Sequence, residues 1–223
     1  MYLKLIQFTD KYIKILLSLL VSFCLIRVYE YVLIAHKSFI NYAFFYEIAG
    51  LVYDIWAIAI YGLVVFIPVF VLWLSNKKMG IVFAHVLNAV VIITYISLLI
   101  VFSERNTPFD HEIYTRSFEE SWATSKQMIS SGLLVLLPFI LFIALYLFVY
   151  YQWTQKLKIS VLQLKIVGLF MFVAIVFIGY ANPNEENFEQ EKAYYFTANK
   201  FTYWINDTYY YFRNINQFNS DKH

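Results

Sequence analysis

Residues 45–74 read FYEIAGLVYDIWAIAIYGLVVFIPVFVLWL, thirty positions that carry only two charges, Glu47 and Asp54. About 30 Å of hydrocarbon is crossed by roughly 20 apolar residues at about 1.5 Å each. This stretch therefore spans a bilayer with residues to spare, and is expected to tilt, kink or emerge. Pro68 supplies a candidate kink.

Four more stretches pass the same test, at residues 15–35, 80–102, 128–151 and 161–180. Pro138 marks a second candidate kink, in the fourth of the five. Composition agrees. The 223 residues are 61% hydrophobic and 14% charged, against about 45–50% and about 25% in soluble chains. The expected fold is an all-α integral membrane protein, a bundle of five transmembrane helices over residues 1–180 with an external tail over 181–223. A net charge of +2 makes no basic face for nucleic acid. The single cysteine, Cys24, excludes an internal disulfide.

Lysine and arginine density sets the orientation. Residues 1–14, 75–79 and 152–165 hold eight basic side chains in 33 positions, whereas 36–42, 103–127 and 181–223 hold eight in 75. The denser side is expected to be cytoplasmic. Five crossings from a cytoplasmic N-terminus place the C-terminus outside, in a plasma (inner) membrane.

Ionisable groups in hydrocarbon cost about 2.5–3.5 kcal/mol each on insertion scales, so they pair or face a wet cavity. Arg27 and Glu30 in the first stretch, three apart, share a helix face. Glu47, Gly50 and Asp54 share a face of the second, where Gly50 allows close approach of a neighbour. Arg27 lies about 12 Å below the outer end of its helix, and Asp54 about 13–14 Å below the outer start of the next. Two antiparallel helices joined by a short loop bring these to one level, so an Arg27–Asp54 pair is expected, with Glu30 nearer the outer surface. The pair either orients the two helices or lines an outward polar cavity, in which Arg27 would attract the phosphate of a lipid head group. His85 and Asn88 lie nearer the inner side, and an interhelical hydrogen bond is expected there.

The tail turns densely aromatic between Lys192 and Arg213. Tyr194, Ala198, Phe201, Trp204/Ile205 and Thr208 fit one helical face, along which Tyr195 and Tyr211 add further rings. Rings with polar tips suit either a helix lying on the outer leaflet or an aromatic face docked on the bundle or a partner. The outer loop 103–127, with Pro108, Thr107 and Ser117, is expected to form a short surface helix before Trp122. Its Asp110-His111-Glu112 run reads as a solvated face rather than a metal site. Neither a phosphate-binding loop nor a nucleophile motif occurs, so no catalytic residue, metal or cofactor is expected in this chain.

Three segments carry a family resemblance: Gly50-Leu51-Val52-Tyr53-Asp54-Ile55, the loop from Asp110 to Arg116, and Asn199-Lys200-Phe201. With the five-helix layout they resemble the N-terminal membrane domain of the lipoteichoic acid synthase-like family, within the alkaline phosphatase/sulfatase superfamily. The resemblance implies an anchor for an external metal-dependent domain that transfers phosphoglycerol or a related head group. That family keeps its nucleophilic Thr and metal ligands in the later domain, so none of them falls within these residues. The alternative expectation is a small membrane interaction protein that binds a partner through its outer loop and aromatic tail.

Overall fold

The computed structural model describes residues 2–35, 43–105, 107–110, 114 and 136–214. Every regular element among them is helical. Helix α1 runs Tyr2–Ala35, α2 Ala43–Ser75, α3 Lys77–Arg105, α4 Leu137–Lys156 and α5 Val161–Val176. Two 3₁₀ turns, Ile178–Ala181 and Glu185–Asn187, lead to α6, Glu191–Thr197, and α7, Lys200–Arg213. Four of these helices, α1 to α4, are long and apolar enough to cross a membrane.

The surface explains the composition. Ile67, Phe148, Leu162 and Phe172 are among many large apolar side chains left exposed on the helices. Arg27, Glu30, Glu47 and Asp54 are buried. Water would penalise such an exterior, and lipid does not.

Helix α1 begins at Tyr2, thirteen residues before the apolar stretch expected from residue 15. Its early turns are amphipathic: Lys4 and Lys11 face out, while Phe8 and Tyr12 are buried. Phe8 packs among Phe66, Phe70 and Trp73 of α2, at ring-centroid distances of 5.0–5.4 Å. Tyr12 donates to the Gly62 carbonyl at 2.6 Å. Lysines at helical spacing therefore extend this helix instead of marking a loop before it, and Lys14 pairs with Asp10 one turn away at 2.9 Å.

Helices α2 and α3 are joined through one residue, Asn76. Its side chain accepts from the backbone N–H of Lys78 and Met79 at 3.0 and 3.3 Å, capping α3. The turn is tight enough that a Cβ at Gly80 would fall 2.5 Å from Trp73 Cβ and 2.6 Å from its Cα. Only glycine fits.

Pro68 lies within α2, and Pro138 lies in the first turn of α4, where its missing N–H costs nothing. The stretch expected at 128–151 is described from residue 136, and its helix continues to Lys156. Helix α5 ends at Val176, short of the expected 180. Gly179 disfavours α-helix, and the backbone tightens to a 3₁₀ turn before Asn182, which is extended as the residue preceding Pro183.

Around this frame α1 packs on α2, α3 and α4, and α2 also meets α5. Helix α6 sits against α2, and α7 against α3. The tail is thereby packed onto the bundle instead of extending away from it.

Candidate functional site: a buried ionic latch

The one-face tail helix expected from aromatic spacing is interrupted. Ala198 and Asn199 adopt extended backbone (φ −63°, ψ 141° and φ −70°, ψ 118°), which splits it into α6 and α7. Asn199 is the reason. Its Oδ1 accepts from the N–H of Phe201 and Thr202 at 3.1 and 3.0 Å, starting a new helix where the old one would have continued. This break turns residues 196–200 inward, and all five are buried.

Beneath that turn lies Arg27. Its Nε donates to Asp54 Oδ2 at 2.7 Å and its Nη2 to Asp54 Oδ1 at 3.0 Å, a side-on bidentate pair. Nη1 donates to the Phe196 carbonyl at 2.7 Å and lies 3.3 Å from both Glu30 Oε2 and Glu47 Oε2. Nη2 also reaches the carbonyls of Gly50 and Ala198, at 3.4 and 3.3 Å. The guanidinium lies on Gly50, where a Cβ would fall 2.7 Å from Cζ. Gly50 thus makes room for a side chain, whereas its spacing suggested close helix approach.

The tail contributes a second cation. Lys200 Nζ lies 2.7 Å from Glu30 Oε1, a buried ion pair. It donates to the carbonyls of Tyr195, Phe196 and Ala198 at 2.6, 3.4 and 3.2 Å. Carbonyls at a helix C-terminus lack internal partners and carry partial negative charge. Here Arg27 and Lys200 satisfy those of α6. Asn199 completes the arrangement: its Nδ2 donates to Asp54 Oδ1 at 2.7 Å. Burial lowers the Lys200 pKa from the ordinary lysine value; Glu30 raises it, Arg27 lowers it and Glu47 raises it.

Three carboxylates face two cations, all buried. Among the described residues Glu47 is the least supported of them: its Oε2 has the 3.3 Å contact to Arg27, and its Oε1 has no hydrogen-bond partner. Glu30, expected nearer the outer surface, has no exposed area. Of the two readings of this pair, a helix-orienting contact or a polar cavity, the space beside Arg27 is taken by the 196–200 turn, and the arginine's donors are engaged within the protein.

The aromatic tail residues divide by position. Tyr211 is buried, while Tyr194, Tyr195, Phe201 and Trp204 are half-buried. Tyr114 stacks on Tyr211 at 5.7 Å and its hydroxyl lies 3.0 Å from that of Thr208, tying α7 to a residue that follows α3 in the chain. Lys200 and Asn199 were legible only as resemblance residues, not as partners of Glu30 and Asp54. The available signal was a helix-starting asparagine placed inside an otherwise regular aromatic pattern.

His85 Nδ1 and Asn88 Nδ2 both meet the Tyr146 hydroxyl of α4, at 2.7 and 3.0 Å. Among the described residues no group of three or more His, Cys, Asp or Glu side chains is placed to hold a metal ion. His36, His111, Glu112 and His223, with most of the loop to residue 127, lie outside the described residues. Comparison with family models, with curated proteins and with solved structures finds no match to the chain.

Proposed function

We propose that this chain is a five-span membrane anchor that positions an external sulfatase-like domain, a transferase of phosphoglycerol or a related lipid head group. The observation that carries the reading is the latch. Residues 196–200 are tied to α1 and α2 through Arg27, Glu30 and Asp54. A domain joined beyond α7 would be held at a set height and angle over the bilayer instead of swinging on a linker.

The fifth crossing is supported by length. Helix α5 supplies about 24 Å, and the 3₁₀ turn to Ala181 extends it by roughly 8 Å, enough for the hydrocarbon. Lysine density supports a cytoplasmic N-terminus with α6–α7 outside, and the membrane of this reading is the plasma (inner) membrane. Single cysteines at Lys4 and Asn187 in a Cys24→Ser background are expected to label from opposite sides of intact cells.

The anchoring role is tested with purified chain and phosphatidylglycerol. The chain alone is expected to transfer no phosphoglycerol, and turnover by it would overturn the reading. Joined to a sulfatase-like domain, Lys200→Met is expected to slow transfer from membrane lipid while leaving hydrolysis of a soluble ester unchanged.

One observation favours the interaction-protein alternative. Tyr209, Tyr210 and Phe212 stand exposed on α7, and a protein partner captured there, lost on Tyr210→Ser, would select it.

A further inference from the structure

A second polar site lies toward the lysine-rich end of the bundle, apart from the latch. Tyr61 of α2 donates its hydroxyl to Asn88 Oδ1 at 2.8 Å, and Asn88 Nδ2 donates to the Tyr146 hydroxyl at 3.0 Å. Tyr146 in turn lies 2.7 Å from His85 Nδ1. These contacts run in one direction. Asn88 spends its oxygen on Tyr61 and its NH₂ on Tyr146, leaving the Tyr146 hydrogen for His85 Nδ1. The network thereby assigns the neutral imidazole its proton at Nε2.

Among the described residues no nitrogen or oxygen acceptor meets that Nε2–H, and the ring packs edge-to-face with Tyr150, centroids 4.4 Å apart. The half-buried ring borders an open groove of about 230 Å³ between α3 and α4. Val82, Val86 and Ala89 form one wall, and Ile143 and Leu147 the other. Val82 and Val86 are exposed toward the lipid. A groove lined mainly by apolar side chains, with His85 and Tyr146 at its polar edge, therefore borders one donor without a nitrogen or oxygen acceptor, and leaving such a donor unpaired in hydrocarbon is costly.

Depth selects the acceptor. His85 lies eight residues after Lys77, about 12 Å along the helix. The head-group zone occupies roughly the first 6 Å, and a helical side chain leans back toward the N-terminus of its helix, here the lysine end. The ring nitrogen so approaches the level at which glycerolipid ester carbonyls lie. Lys78, exposed at the start of α3, adds a cation for an anionic head group above.

We propose that this groove binds one acyl chain of an ester-linked anionic glycerolipid from the lysine-side leaflet, whose ester carbonyl accepts from His85 Nε2–H. The site rests on the membrane embedding alone and not on the anchoring role.

Delipidated full chain is offered dioleoylphosphatidylglycerol or its diether analogue, which shares head group and chains but lacks the carbonyls, and retained lipid is counted by native mass spectrometry. The unaltered protein is expected to favour the diester by about three- to ten-fold, the scale of one net hydrogen bond. His85→Phe keeps the ring and removes the donor, so the preference should vanish. Leu147→Trp fills the groove and should lower retention of both lipids. Equal retention by the unaltered protein, or a preference that survives His85→Phe, would overturn the site. A second measurement needs no variant: the ¹⁵N resonance of His85 Nε2 should differ between the two lipids, and identical spectra would also overturn it.

Discussion

Asn199 faces two ways: its Oδ1 caps α7, while its Nδ2 donates to Asp54 Oδ1 at 2.7 Å across the bundle. Local helix initiation and attachment of the tail thus depend on one side chain. Asn199→Ala is expected to lose about 1 kcal/mol of capping and to leave an Asp54 lone pair with one donor fewer. Asn199→Asp keeps the cap but sets a carboxylate against Asp54, and should be the worse of the two. Thermal unfolding in detergent gives the order.

Removing the charge of Asp54 should differ sharply from removing that of Glu47. Asp54→Asn takes the bidentate acceptor from a buried arginine and is expected to cost about 3–5 kcal/mol. Glu47→Gln removes the least supported member of a set with more carboxylates than cations, so stability should change by less than about 1 kcal/mol or rise. Equal losses in the two variants would contradict this account of the charges.

Lys200 and Glu30 should be energetically coupled. A double-mutant cycle with Lys200→Met and Glu30→Gln is expected to give about 1–3 kcal/mol of interaction. Lys200→Met alone should also release the tail, which limited proteolysis between residues 182 and 200 would report as faster cleavage.

Two glycines should respond in opposite directions to alanine. At Gly80 the new Cβ meets the Trp73 backbone at 2.6 Å and something must shift, so Gly80→Ala is expected to cost more than about 1 kcal/mol. At Gly168 nothing lies within 4 Å of the added carbon. Gly168→Ala should therefore stabilise α5 by about 0.5–1 kcal/mol. Melting curves of the two variants decide it.

The membrane helices are legible because hydrocarbon thickness imposes a length on apolar sequence. The level shared by Arg27 and Asp54 is legible for a related reason: a short connection fixes how two antiparallel helices align. Lys200 and Asn199 are of another kind. They lie more than 140 residues from Asp54, in a segment whose rings suit a membrane surface, and no periodicity links them to α1. The early turns of α1 are less legible because Lys4, Lys11 and Lys14 give the charge density of a loop, although their spacing leaves Phe8 and Tyr12 on a single inward face. The shortening of α5 turned on Gly179 and Pro183, whose effect on the backbone outweighs the hydropathy of their neighbours.

The single-residue joint at Asn76, closed by Gly80 against Trp73, has a mechanical meaning. A one-residue connection and a contact that only glycine permits hold these ends of α2 and α3 together as a close pair. Glu47, Asp54 and Tyr61 ride on one arm, His85 and Asn88 on the other. The Tyr61 hydroxyl, donating to Asn88 Oδ1 at 2.8 Å, ties the two arms a second time, so the helix pair is braced at two levels.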